Sequence, residues 1–193
     1  MEILSRAFAV DGVEPFSEQF VRGLTEPMGH TRHQIEQDGQ VIALISGDGS
    51  TAELVVDPAY RRHGLGTQLY ERAGLPPVWA HGDLPAARAF AAHHGLVATR
   101  ILLVMGKEGY TPQEVRVPEG FRIVTAAEEC DDEQWVRVNN EAFSWHPEQG
   151  GWDVDKLTEA RATQWYDPRG VFFLYEGDRL AGFHWTKRVD SVG

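Results

Sequence analysis

Apolar positions in the first half of the chain follow two spacings that predict alternating helices and strands. Phe16, Phe20 and Leu24 are four residues apart, which predicts a helix over residues 15–24. Aliphatic runs between turn signals predict strands. The series continues with strands over 33–36, 40–46 and 51–56, a helix over 64–73, a strand over 77–80, a helix over 84–94 and a strand over 97–105. Seven of residues 1–10 are apolar, and no element is predicted for them.

The second half of the chain repeats part of this series after a connecting segment. Residues 106–120 contain two prolines and three glycines with little apolar periodicity, which is typical of a linker. Beyond it, the pattern predicts a strand over 121–124, helices over 131–143 and 153–165, and hairpin strands over 171–175 and 179–185. We therefore expect a first domain at 1–107, a linker at 108–120 and a second domain at 121–193.

Two hairpins carry an internal repeat. Residues 35–43 (IEQDGQVIA) resemble residues 174–182 (LYEGDRLAG), and the two segments are 139 positions apart. Each hairpin follows helical segments, which predicts a duplicated α/β (α+β) domain. The first copy continues into a strand that ends at Val56, whose counterpart would fall beyond Gly193. We therefore expect one nearly complete copy and the N-terminal part of a truncated second copy.

The most informative motif is residues 54–67, LVVDPAYRRHGLGT, in which a strand, a proline turn and a glycine-containing loop lead into a helix. The first N–H groups of a helix have no intrahelical partner, and the helix dipole favours an anion there. The motif is not a dinucleotide fingerprint, because position 69 is Leu. It is not a P-loop, because no Lys-Ser or Lys-Thr follows the glycines. It therefore predicts a different phosphate-binding loop.

Charge makes this local device necessary. Residues 1–112 carry 13 acidic and 9 basic side chains, and residues 113–193 carry 16 and 9. Neither half is basic, so binding to nucleic acid is not expected. An anionic ligand must then be held by the loop itself, where Arg61 and Arg62 add positive charge.

Composition excludes several other classes. No apolar run reaches the ~20 residues that a membrane helix needs, and the start does not resemble a signal peptide, so we expect a cytoplasmic protein. We expect it to be a monomer. Cys130 is the single cysteine, which excludes an internal disulfide and a multi-cysteine zinc site. Neither His30 and His33 nor His93 and His94 suggest a third ligand nearby, so no metal is expected.

The motif resembles motif A of the GNAT acetyltransferases, Arg/Gln-x-x-Gly-x-Gly/Ala after a strand. The resemblance implies the GNAT fold and acetyl-CoA as acetyl donor. It implies that Leu54, Val55 and Val56 line the pantetheine arm through their backbone groups. It likewise implies a cradle for the pyrophosphate, made by Arg62, His63, Gly64, Leu65, Gly66 and Thr67.

Four further strings resemble the mycothiol synthases, a family of tandem-GNAT acetyltransferases of actinobacteria. They are VWAHG at 78–82, VNN at 138–140, HPEQGGW at 146–152 and GFHWTK at 182–187. The resemblance implies transfer of acetyl to the cysteinyl amine of a cysteinyl-glucosaminyl-inositol, desacetylmycothiol. It also implies that Glu18, Glu148 and Lys187 contact that substrate.

The catalytic residues stay unassigned. GNAT proteins commonly carry a tyrosine that protonates the leaving thiolate, and counting back from Gly95-Leu96 places Ala91 at that position. We therefore expect the first domain to bind acetyl-CoA without being a competent transferase alone. Two other functions remain open: a truncated protein that only binds acetyl-CoA, and an acetyltransferase that acts on another amine.

Overall fold

The computed structural model describes residues 2–107, 109, 111–146 and 149–188. It consists of two compact units, Met1–Met105 and Gly106–Gly193. The elements of the first unit are α1 (Glu2–Asp11), α2 (Glu18–Gly23), β1 (Thr31–Gln37), β2 (Gln40–Gly47), β3 (Ala52–Val56), a 3-10 turn (Pro58–Tyr60), α3 (Leu65–Arg72), β4 (Val78–Trp79) and α4 (Pro85–His93). This mixed α/β composition is the predicted fold class.

The first unit is built on a four-stranded sheet in the order β1-β2-β3-β4. The first three strands are antiparallel, and β4 joins β3 in parallel. The predicted hairpin turn between β1 and β2 is confirmed, because Asp38 and Gly39 both have positive φ (52° and 76°), as a two-residue hairpin loop prefers. A bulge between Ile35 and Glu36 interrupts the register of this hairpin.

Both faces of this sheet are covered. On one face, α1 and α2 pack against β2 and β3 in a cluster made of Ile3, Leu4, Ala7, Phe16, Phe20, Leu44 and Val55. On the other face, α3 contributes to a second cluster made of Ala43, Ile45, Ala52, Leu69 and Tyr70. Because both faces are buried, β2 is a continuous apolar run and not an alternating one.

Two predictions about this unit are wrong, and one helix was not predicted. The unpredicted helix is formed by residues 2–11, in which Ile3, Leu4 and Ala7 lie on one face and are buried. The predicted helix over 15–24 is limited to Glu18–Gly23, because Ser17 is extended, although Phe16 remains in the core. Residues 97–105 form no strand and are exposed. Their aliphatic side chains favour a strand, but a strand also requires a pairing partner, which residue type does not supply.

The second unit has a three-stranded antiparallel sheet in the order β5-β6-β7. Its elements are β5 (Phe121–Thr125), α5 (Asp132–Ala142), α6 (Val154–Arg161), a 3-10 turn (Pro168–Gly170), β6 (Val171–Glu176) and β7 (Arg179–Trp185). Asp131 and Asp153 cap the two helices by accepting the backbone N–H groups of Gln134 and Lys156 at 3.0 and 2.8 Å. The predicted helix over 153–165 therefore begins as expected but ends at Arg161.

The two hairpins share an irregularity as well as a sequence pattern. The bulge in the second hairpin lies between Leu174 and Tyr175, and the bulge in the first lies between Ile35 and Glu36. The positions differ by the same 139 residues as the sequence repeat. In both units, two helices precede the hairpin. None of the helices in the described part of the chain is long and apolar enough to cross a membrane.

Candidate acetyl-CoA site

Strand β3 continues beyond the end of the short parallel strand β4. The two strands pair at Ala52–Val78 and Glu53–Trp79, whereas β3 continues to Val56 while paired on its other side with β2. On the β4 side, the backbone groups of residues 54–56 therefore have no strand partner, although the carbonyl of Val56 accepts Nε of Arg61 at 3.1 Å. Such groups can hydrogen-bond to an extended ligand that carries amides of its own.

The loop after β3 is held in place by two carboxylates. Asp57, which is 4% exposed, accepts the N–H of Ala59 at 3.0 Å and Nε of Arg6 at 2.5 Å. Arg61 donates from both terminal nitrogens to Asp11 at 2.8 and 2.6 Å, and from Nε to the carbonyl of Val56 at 3.1 Å. Hydrogen bonding from Arg61 lowers the pKa of Asp11. Arg61 therefore fastens the loop to the end of α1.

Arg62 and Gly64 give the loop its shape. Both have positive φ, 67° and 78°, and both are exposed. Helix α3 starts directly after Gly64, and its first intrahelical bond runs from the N–H of Gln68 to the carbonyl of Gly64 at 3.0 Å. The N–H groups of residues 65–67 precede that bond. They form an anion-binding end of the helix next to the exposed Arg62.

The two glycines of the motif differ in what surrounds them. A Cβ built on Gly64 meets nothing within 4 Å, so its missing side chain leaves the loop open to solvent. A Cβ built on Gly66 would lie 3.5 Å from Phe90 and 3.6 Å from Leu54, in ordinary packing contact. Gly64 therefore lies at an open surface, while Gly66 packs against side chains of the same unit.

Glu18, a predicted substrate contact, is the first residue of α2 and is exposed. The preceding N–H, that of Ser17, donates to Oε2 of Glu53 at 2.8 Å, and Oε1 of Glu53 lies 3.0 Å from Nε2 of His81. The hydrogen bond with Glu53 raises the pKa of His81, although burial opposes the shift. Glu53 thus joins the start of α2 to the strand that carries residues 54–56.

The other two predicted substrate contacts belong to the second unit. Lys187 follows β7, with its ammonium nitrogen 4.6 Å from the ring centroid of Trp165. Glu148 lies outside the described residues. The chain that follows it is held by α5: Asn139 donates to the carbonyl of Gln149 at 2.6 Å, and Asn140 bonds both backbone groups of Trp152 at 2.8 Å.

Sequence reasoning missed three polar residues next to the motif: Glu53, His81 and His94. An acidic residue inside the apolar run of β3 was the available signal, because such a group is buried only with partners. The thiol of Cys130 is unsuited to nucleophilic chemistry, since burial and Asp132 raise its pKa to about 11. Among the described residues, no group of three or more His, Cys, Asp or Glu side chains could hold a metal ion.

Comparison with known protein families identifies similar sequences over nearly all of the chain. Residues 1–73 match the family described as Acetyltransferase (GNAT) family. The mycothiol acetyltransferase of Corynebacterium efficiens is 48% identical, with 97% of this chain and 67% of that protein covered. The mycothiol acetyltransferases of Corynebacterium diphtheriae and Nocardia farcinica are each 45% identical, covering 97% and 96% of this chain and 67% of each relative. The chain thus spans about two thirds of the length of these relatives.

Among solved structures, a GCN5-related N-acetyltransferase from Sphaerobacter thermophilus has the same fold. Its TM-score is 0.63 at 18% sequence identity, and the match covers 98% of this chain and 68% of that one. The likeness in backbone at such low identity supports the predicted fold.

Proposed function

Because the chain belongs to the mycothiol acetyltransferase family, which has the GNAT fold, we propose that it transfers acetyl from acetyl-CoA to the cysteinyl amine of a cysteinyl-glucosaminyl-inositol. The family makes the chain an N-acetyltransferase. The acceptor amine and the residues that bind both substrates are what the proposal adds.

The part of β3 that extends beyond β4 carries the proposal. Residues 54–56 have no β4 partner there, and the loop after them leads to the N–H groups of residues 65–67, which precede the first intrahelical bond of α3. A ligand with an amide-rich arm and a diphosphate at its end matches both features, which is the chemistry of CoA. The cradle is completed by the backbone of His63 and Gly64, the Arg62 guanidinium and the Thr67 hydroxyl. Together they supply positive potential in an acidic protein.

The acceptor half of the proposal rests on carboxylates and on amine chemistry. Glu18 and Glu148 would hold the sugar hydroxyls or the amine, and Lys187 would donate to oxygen atoms of the acceptor. An α-amine has a pKa of roughly 8, so a neutral fraction exists near pH 7 without a strong general base. In the transfer, the amine nitrogen forms the amide bond as the thioester C–S bond breaks. The nitrogen loses one proton and the CoA sulfur gains one. Alignment of amine and thioester then supplies much of the rate.

The duplicated organisation belongs to the same proposal. We assign residues 1–107 to a first GNAT domain, 108–120 to a linker and 121–193 to a second region that repeats the start of the first. The bulges at matching positions in the two hairpins support this assignment. The acetyl-CoA site proposed above belongs to the first of the two domains.

Two measurements on the purified chain test the function. Calorimetric titration with acetyl-CoA should show one saturable site per chain, from which CoA displaces it. Incubation of acetyl-CoA with the cysteinyl-glucosaminyl-inositol should yield the N-acetyl product, detected by mass spectrometry. Glu18→Gln should raise KM for the acceptor and leave the affinity for acetyl-CoA unchanged, and Gln19→Ala on the same exposed turn serves as control.

The outcomes separate the readings that the sequence leaves open. Binding without transfer to any amine would favour a protein that only binds acetyl-CoA. Transfer to simple amines at the same kcat/KM as to the cysteinyl substrate would favour a different acceptor. Absence of acetyl-CoA binding would overturn the proposal as a whole.

A further inference from the structure

His94 lies at the C-terminal end of α4, with its ring turned toward the start of α3. Its Nε2 atom is 3.1 Å from the hydroxyl oxygen of Thr67. The ring packs against Phe90 and Tyr70, with centroid distances of 4.5 and 5.0 Å, and it is half-buried. His94 is therefore held by aromatic contacts in a position where it touches the phosphate-binding turn.

The hydroxyl of Thr67 has one proton, so its hydrogen bonds are coupled. A hydroxyl can donate once and accept from other groups. Phosphate oxygens only accept. For Thr67 to bind a phosphate through its hydroxyl, its proton must point to the anion, and the contact with His94 must run from the ring N–H to the Thr67 oxygen.

We propose that His94 is a positioning residue for the diphosphate of CoA: Nε2–H donates to Oγ1 of Thr67 and directs the hydroxyl proton of Thr67 to a phosphate oxygen. The inference rests on the proposed placement of CoA at residues 62–67. His94 does not touch the ligand in this arrangement. It selects one orientation of the hydroxyl before the ligand arrives, so less order has to be imposed on binding.

The opposite direction of the same hydrogen bond gives a different expectation. If the Thr67 hydroxyl donates its single proton to an Nε2 atom that carries none, it has no proton left for the phosphate. Its oxygen then presents only lone pairs to the anion. Loss of His94 would then free the hydroxyl and strengthen CoA binding. The sign of the effect therefore distinguishes the two arrangements.

The experiment compares two ligands and a set of matched variants. CoA carries the diphosphate, and pantetheine carries the same amide arm without it. Binding is measured by calorimetry for the wild type, His94→Ala, His94→Gln, Thr67→Val and the His94→Ala/Thr67→Val double variant. Glu71→Ala removes an exposed side chain on α3 and serves as control, and thermal melting of each variant reports folding.

The expected result is a loss of affinity for CoA, which carries the diphosphate, and not for pantetheine, which lacks it. His94→Ala weakens CoA binding about threefold, because the freed Thr67 hydroxyl has three staggered orientations from which the ligand must select one, and it leaves pantetheine binding unchanged. His94→Gln restores most of the loss, because its amide N–H can donate in place of Nε2–H. In the Thr67→Val background, His94→Ala has no further effect on CoA, since the hydroxyl that it positions is absent.

Three results would overturn the inference. One is an equal loss of affinity for CoA and for pantetheine in His94→Ala, which would indicate altered packing of α4. Another is full additivity of the two substitutions. The third is CoA binding that is unchanged or tighter in His94→Ala. The wild-type titration with CoA is read first: no binding there removes the placement of CoA itself, whereas wild-type binding with any of these three results removes only the role of His94.

Discussion

The Nε2 atom of His81 lies 3.0 Å from Oε1 of Glu53, whose other oxygen accepts the N–H of Ser17 at 2.8 Å. Glu53 is 2% exposed. One buried carboxylate therefore joins the start of α2, strand β3 and the segment after β4. Burial of an ionised carboxylate is costly unless its oxygens are hydrogen-bonded, so both contacts are needed for the three segments to stay together.

Removal of the Glu53 carboxylate should destabilise the first unit. Glu53→Ala leaves the N–H of Ser17 and the ring of His81 without their acceptor, which should lower the free energy of unfolding by about 2–4 kcal/mol. Glu53→Gln keeps one acceptor oxygen and should cost less. Urea unfolding is the measurement, with the exposed Glu71→Ala on α3 as control. A loss for Glu53→Ala no greater than for Glu71→Ala would contradict the assigned role.

Stability from the His81–Glu53 pair should depend on pH. Hydrogen bonding to Glu53 raises the pKa of His81 above its ordinary value of 6.5. A group whose pKa is higher in the folded than in the unfolded state stabilises the fold fully when the pH is below its unfolded-state pKa. This stabilisation is lost as the pH rises through its folded-state pKa. His81→Gln keeps a neutral donor and removes the titration. Near pH 6, the free energy of unfolding of the wild type should exceed that of His81→Gln by about 1 kcal/mol. This difference should disappear near pH 9.

The test is urea unfolding of the wild type and of His81→Gln at several pH values between about 6 and 9. The control is Gln68→Ala, an exposed position whose effect should be independent of pH. A gap that widens as the pH rises would show that the charged pair is not the source of the difference.

Substitution of the adjacent residues Arg61 and Arg62 should affect different properties: stability for Arg61 and CoA affinity for Arg62. Arg61 bonds Asp11 and the carbonyl of Val56, so Arg61→Ala should lower the free energy of unfolding by about 1–3 kcal/mol. Arg62 is exposed, so Arg62→Ala should change stability by less than about 0.5 kcal/mol and weaken CoA binding several-fold. Unfolding and calorimetry on both variants decide the matter. If Arg62→Ala destabilises as strongly as Arg61→Ala and leaves CoA affinity intact, the division of roles is wrong.

Substitution of the two glycines of the motif, Gly64 and Gly66, should also have different effects on stability and on CoA affinity. Gly64→Ala forces a side chain into a φ of 78° and places a methyl group in the open loop, so it should cost about 1 kcal/mol and weaken CoA binding tenfold or more. Gly66→Ala adds a methyl group in ordinary contact with Phe90 and Leu54 and improves helix propensity. It should therefore leave stability equal or higher, with CoA affinity within about threefold of the wild type. Stronger loss of CoA binding in Gly66→Ala than in Gly64→Ala would reverse the assignment.

Much of the fold could be read from local pattern. The hairpin at Asp38-Gly39, the helix that starts after Gly64 and the capped helix after Asp131 each have a short-range physical cause in turn geometry or capping. The helix at residues 2–11, for which local pattern predicts no element, and residues 97–105, for which it predicts a strand, differ from this because their states depend on distant residues. The helical state of the first depends on burial of Ile3 and Leu4 against the sheet, and the strand predicted for the second depends on a pairing partner.

The sequence by itself determined the strand–loop–helix motif at 54–67, the repeat offset and the family, because these depend on residue identity and spacing along the chain. Only the tertiary structure decided which groups meet at the motif. It turned Arg61 toward Asp11, placed Gly66 against Phe90 and brought Glu53 to Ser17 and His81. It also set His94 beside Thr67, 27 positions away. Such contacts join residues distant in the chain, and they follow from how helices and sheet pack, which no local pattern contains.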